Sequence, residues 1–130
     1  MARRHLLDTH VLLWWLAEPE RLSAKVLAVL NDPGSDVLVS AASAWEIATK
    51  HRLGKLPTAA VLLGDYQGLL DRQGFRHLSI SAAHGLRAGS YGQAHRDPFD
   101  RLLAAQGELE QLVLISADPA LEPFPVQRLW

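Results

Sequence analysis

No cysteine occurs in the 130 residues, which at once removes disulfide staples, thiolate zinc sites and cysteine nucleophiles. A reducing cytoplasm is the expected compartment. A bilayer-length apolar run is also missing. The stretch "RRHLLDTHVLLWWL", Arg3 to Leu16, is interrupted by Asp8 and His10 and is followed by no small-residue cleavage site, so neither a membrane span nor a secretory leader is expected. An excess of charge is absent too: 13 Lys and Arg face 14 Asp and Glu, for a net charge of −1. Any grip on a polyanion must therefore come from a local patch. No linker or repeat stands out. With 48% hydrophobic and 21% charged residues, residues 1–130 are expected to form one globular domain.

What is present is an alternation of short apolar runs and helical patterns. His5-Leu6-Leu7 reads as a buried strand ending at Asp8, and Val11 to Ala17 as a helix stopped by Pro19. A serine-started helix follows from Ser23 to Leu30, then the turn cluster "NDPGSD" and the strand Val37 to Ser40. "AASAWEIATKHRL" predicts a helix closed by "GKLP", and a further helix is expected over Thr58 to Arg72. "FRHLSI" alternates like a strand, "RDPFDRLLAAQGELE" is a capped helix, "LVLIS" an apolar strand and "FPVQRLW" an edge strand. Such alternation predicts an α/β fold, a parallel sheet wrapped in helices, whose ligand crevice lies at the C-terminal strand ends.

The acids fall on that rim. Asp8 ends the first strand and Asp118 follows the strand "LVLIS"; Asp97 and Asp100 open the "DPFD" helix; Glu46 lies within "AWEIATK". Each has an ordinary structural explanation. Asp8, Asp97 and Asp118 can cap helices, and Asp100 suits the first turn. Glu46 can pair with Lys50 at i+4, worth only about 0.3–0.5 kcal/mol. Capping does not explain why so many carboxylates should converge on one sheet edge. Clustered carboxylates repel unless a cation lies among them. An all-oxygen site suits Mg²⁺ or Mn²⁺, and such sites hydrolyse phosphodiesters by activating water and stabilising the leaving oxygen. His10, His51 and His95 lie near these acids in sequence but lack zinc-site spacing.

Taken in order, "LLDTHVLLWWL", "SAASAWEIATKHRLGKL", "HRDPFDRLLAAQ" and "ISADPAL" resemble the PIN-domain ribonucleases over the whole chain. Within these, the likeness is to the VapC toxins of bacterial VapBC toxin–antitoxin pairs. The family's acids fall on Asp8, Glu46, Asp100 and Asp118, and Asp97 matches the extra leading acid of the "HRDPFDR" form. Ser116 stands where Thr is commoner. The resemblance implies a PIN-like α/β/α sandwich with a central, mainly parallel sheet and divalent-metal cleavage of RNA. It also implies a homodimer and inhibition by a cognate VapB-type antitoxin laid across the active-site groove.

On that basis Asp8, Asp100 and Asp118, with Asp97, are the expected ligands of Mg²⁺, for which Mn²⁺ would substitute. Glu46 is expected either as a ligand or as the group orienting the attacking water. Lys50, Arg52, Lys55, Arg96 and Arg101 are the candidates for RNA phosphate contacts. Trp14 and Trp15 suit core or dimer surface better than base stacking. A phosphotransferase of the haloacid-dehalogenase type would need an Asp two residues after Asp8, where His10 stands. The remaining alternative is a catalytically inactive PIN-like module whose acids only cap helices.

Overall fold

The computed structural model describes residues 3–130. Five strands form one sheet: β1 (Arg4–Leu7), β2 (Asp36–Ser40), β3 (Arg76–Leu78), β4 (Val113–Ile115) and β5 (Arg128–Leu129). Their spatial order is β3-β2-β1-β4-β5 and every pairing is parallel. Seven α-helices complete the described chain: α1 (Thr9–Ala17), α2 (Ala24–Asn31), α3 (Ala41–Arg52), α4 (Ala60–Gly64), α5 (Tyr66–Arg72), α6 (Ala82–Ser90) and α7 (Pro98–Leu109). None is long and apolar enough to cross a membrane.

The inner strands β1, β2 and β4 are mainly buried and apolar because helices cover both faces, as parallel crossovers require. Register aligns Leu6 with Leu38 and Leu114, and Leu7 with Ile115. Alternate residues then feed separate cores. Leu6, Leu38 and Leu114 pack under α6 and α7, with Ala88, Leu103 and Ala104. Leu7, Val37, Val39 and Ile115 pack with Val11 and Leu12 of α1, Val26 of α2 and Ile47 of α3 on the other face.

Strand β1 is central. The chain leaves it toward β2 and β3 on one side, then returns through α6 and α7 to place β4 on its other side. Neighbouring β1 and β4 thus send their continuations in opposite directions, which opens a crevice at their C-terminal ends. Asp8 follows β1 at that point, and Ser116 and Asp118 follow β4.

Local differences from the sequence reading have physical causes. The helix expected over 58–72 is broken at Asp65, whose φ of −150° is outside the helical range; a 3₁₀ turn and two short helices replace it. The strand expected over 75–80 pairs only at 76–78. Helix α6 is unforeseen because "SAAHGLRAGS" carries two glycines; Ser81 and His84 start it with a reciprocal capping box.

Arg101, expected at RNA, has a different occupation. Its guanidinium donates to the carbonyls of Ala88, Tyr91, Gln93 and His95 at 2.7–2.9 Å. Those bonds tie the end of α6 and the irregular segment after it to α7 and engage four of the five guanidinium donors, so Arg101 acts as a loop anchor. Arg101→Met should lower the unfolding free energy by about 2–4 kcal/mol, since several carbonyls lose a charged donor together. Urea unfolding in chelator measures this, and an unchanged midpoint would refute the anchoring role.

Candidate active site

Asp8 occupies the N-cap position of α1 yet makes no capping bond to it. Its Oδ2 instead accepts the Ser116 hydroxyl at 2.7 Å across the β1–β4 crevice. The residue is only 5% exposed. Burial raises its pKa above the ordinary carboxylate value, the Ser116 bond opposes this, and the charge of Glu46 adds to the rise.

Glu46 projects from α3, whose start is fixed by Ser40 accepting the Ala42 N–H at 2.9 Å. One turn before the glutamate, Ser43 bonds Thr9 of α1 at 2.9 Å, holding the two helices together beside the acids. Glu46 is 2% exposed. Its Oε2 accepts from Lys50 Nζ at 2.6 Å, so the i+4 pair exists, with the glutamate buried and the lysine partly exposed. Its Oε1 is buried without any hydrogen-bond partner. An orphaned carboxylate oxygen at that depth is costly unless a ligand completes it.

Asp97 caps α7 through Oδ1 alone, accepting from the Phe99 and Asp100 amides at 2.9 and 3.2 Å. Asp100, one turn in, accepts at Oδ2 from His95 Nε2 at 2.8 Å. Its pKa is pushed up to about 6, first by burial and then by the charges of Asp8, Asp97 and Glu46, with the His95 bond working the other way. These acids therefore share one electrostatic neighbourhood. Burial works against the charge of Lys50, but its bond to Glu46 and the fields of Glu46, Asp97 and Asp100 outweigh that and raise its pKa.

Asp118 is exposed and caps a 3₁₀ turn, accepting the Ala120 N–H at 2.9 Å. It joins the site through Ser116, whose Oγ accepts the Asp118 N–H at 3.1 Å while donating to Asp8. Asp8 and Asp118 line one cavity of about 270 Å³ with His10 and Trp14. The same two aromatic residues border a larger cleft of about 500 Å³, lined mainly by Leu13, Leu16, Leu56, Val61, Leu62 and Leu69. Of the basic candidates, Arg52, Lys55 and Arg96 stand exposed. Sequence reading missed the bridging role of Ser116, the anchoring role of Arg101 and the His95 bond; the nearness of His95 to "RDPFD" was the one signal available.

As the side chains stand, no three His, Asp or Glu among the described residues are arranged to hold a metal. The reason is visible in the bonds above: each acid is turned to its own partner. The donor set nevertheless fits a hard divalent cation. It consists of carboxylate oxygens, two of its acids have raised pKa values, and one buried oxygen is vacant.

With this geometry in view, comparison with known proteins is decisive for the family: the PIN domain signature matches residues 5–125. The chain belongs to the PIN-domain family. Ribonuclease VapC16 of Mycobacterium tuberculosis is 42% identical to it over 57 residues, a segment covering 44% of this chain and 40% of that protein. The match thus spans less than half of that relative. Over 97% of both chains the fold is similar to a chain of the VapBC2 structure from Rickettsia felis bound to a promoter DNA fragment, with a TM-score of 0.72 at 14% identity. A chain of FitAcB from Neisseria gonorrhoeae gives a TM-score of 0.63 at 24% identity over 96% of each chain. At these identities the structural likeness is one of PIN-domain fold.

The raised pKa of Asp100 makes stability depend on pH. Between its ordinary value of 3.8 and about 6, the folded protein binds more protons there than the unfolded chain, so stability falls as pH rises through that window. Asp100→Asn cannot ionise and escapes the loss. In chelator at neutral pH the variant should be more stable than its parent by about 1–3 kcal/mol, and the gap should close below about pH 4. Unfolding curves of both proteins across the range test this; equal stability at neutral pH would show that Asp100 is under no electrostatic strain.

Proposed function

We propose that this PIN domain is a divalent-metal-dependent endoribonuclease, the toxin of a type II toxin–antitoxin pair. The observation that carries the reading is the cluster of buried Asp8, Glu46 and Asp100 with half-buried Asp97, in which Glu46 Oε1 is buried and unpartnered. Asp8, Asp97 and Asp100 would hold Mg²⁺, or Mn²⁺ in its place, with Asp118 contributing from the rim. Bound there, the ion supplies an activated water and stabilises the leaving oxygen of an RNA phosphodiester.

The chain's own groups do the remaining work. Glu46, through its free oxygen, either joins the ligands of the ion or orients the attacking water. Ser116 holds Asp8 in place, and His95 holds Asp100. The exposed Arg52, Lys55 and Arg96 meet backbone phosphates and fix the strand's register; they carry no base specificity. In-line attack leaves a 3′-hydroxyl.

The paired cavities support the antitoxin as partner. An apolar segment fits the cleft along α1 and α4, and a basic side chain extending past His10 and Trp14 reaches the acids, where its charge replaces that of the metal. Trp45, 54% exposed on α3 and packed edge-on to Phe99, offers an apolar face to a second copy in a homodimer. The cytoplasm remains the compartment of this reading.

Asp8→Asn should lower RNA cleavage by about three orders of magnitude or more while the protein stays folded, because a ligand charge is lost without core volume. The parent should be silent in EDTA, recover with Mg²⁺ or Mn²⁺, and fail to recover with Ca²⁺. Cleavage assays on both proteins measure this. Full activity of the variant, or of the parent in chelator, contradicts the metal-nuclease reading; folded parent protein that neither cleaves RNA nor binds Mn²⁺ is the inactive module instead.

A further inference from the structure

Lys50 lies too deep in the acid cluster to be only a phosphate contact. Its Nζ is 2.6 Å from Glu46 Oε2, and its side chain is 28% exposed against 3% for the glutamate. It senses Asp97 and Asp100 as well as Glu46. Among the described residues, the acids' other side-chain partners are a hydroxyl, from Ser116, and an imidazole, from His95. The ammonium is thus the one permanently charged cation bonded within the cluster.

From this geometry we infer that Lys50 is a tethered counter-ion that occupies the glutamate in the metal-free protein and must release it when a divalent cation binds. The inference rests on the metal reading above. A carboxylate's two oxygens are joined to one carbon, so a divalent cation on the vacant Oε1 would stand beside the ammonium on Oε2, and like charges so placed in a poorly hydrated site repel. Lysine suits the exchange because its charge sits on a flexible four-carbon stem whose outer end reaches solvent. Once released, it is a free cation beside the acids and available to phosphate. Lys50 is a positioning residue here: it holds the empty acids together and sets how tightly metal enters.

The test is calorimetric titration of Mn²⁺ into the parent, Lys50→Met and Lys50→Arg. If the paired state dominates the metal-free protein, breaking the pair should tighten Mn²⁺ binding about tenfold in Lys50→Met. Lys50→Arg keeps the charge and the bond and should bind no more tightly than the parent. The difference between parent and Lys50→Met should persist in about 1 M KCl, where a field acting through solvent is screened within about 3 Å. As a second measurement, needing no variant, a crystal structure of the parent with Mn²⁺ should show Nζ moved away from Glu46. Equal affinity of parent and Lys50→Met, a difference that disappears in high salt, or a metal-occupied site with the Lys50–Glu46 bond intact each overturns the exchange while leaving the metal site standing. Absence of Mn²⁺ binding in all proteins overturns the metal reading, and the exchange with it.

Discussion

Carboxylates that crowd one another while shielded from water repel and lose hydration, and much of the architecture around Asp8, Glu46, Asp97 and Asp100 can be understood as a response to that cost. A hydroxyl meets Asp8, an ammonium meets Glu46, an imidazole meets Asp100 and backbone amides meet Asp97. The compensation is incomplete, since Asp8 and Asp100 keep raised pKa values and one oxygen of Glu46 stays unpaired. Folded proteins retain such strain where it serves binding or chemistry.

The scaffold explains why these residues meet. A parallel sheet with β1 at its centre brings the ends of β1 and β4 together where their connections diverge, and Asp8 and Ser116 face each other there. Helices α3 and α7 then supply acids from one side chain and from one N-terminal turn, with Thr9 bonded to Ser43 and Arg101 bonded to four carbonyls keeping the supporting segments still. Asp8 and Asp100 are held by Ser116 and His95 from outside their own elements, while Glu46 is held within α3 and Asp97 by the first amides of α7.

The strands and most helices were legible in sequence because apolar runs and helical spacing survive tertiary packing. Asp-Pro announced the start of α7, and Asp97 does cap it. Asp8 occupied an equally good capping position without using it, and only the cross-sheet bond to Ser116 shows why. Glu46 and Lys50 were legible as an i+4 pair, but the burial of the glutamate depends on α7 and α1 packing against α3, which no local pattern encodes. The four-carbonyl role of Arg101 was hidden for the same reason, since three of its acceptors, Tyr91, Gln93 and His95, belong to a segment without periodicity. Helix α6 was lost because glycine-rich composition outweighed a cap whose partner, His84, is not among the usual capping residues.

The central claim is that this strained, partly protonated cluster accepts a divalent cation, and proton release on binding tests it directly. Because the Asp100 carboxyl is pushed up to about 6, Mg²⁺ entering the site near pH 6 must displace protons from it, whereas near pH 8 Asp100 is largely ionised beforehand. Calorimetric titrations repeated in buffers of different ionisation enthalpy count those protons. Release larger near pH 6 than near pH 8, by about half a proton, is expected. Mg²⁺ binding that releases no protons at either pH, or no binding at all, would contradict the claim.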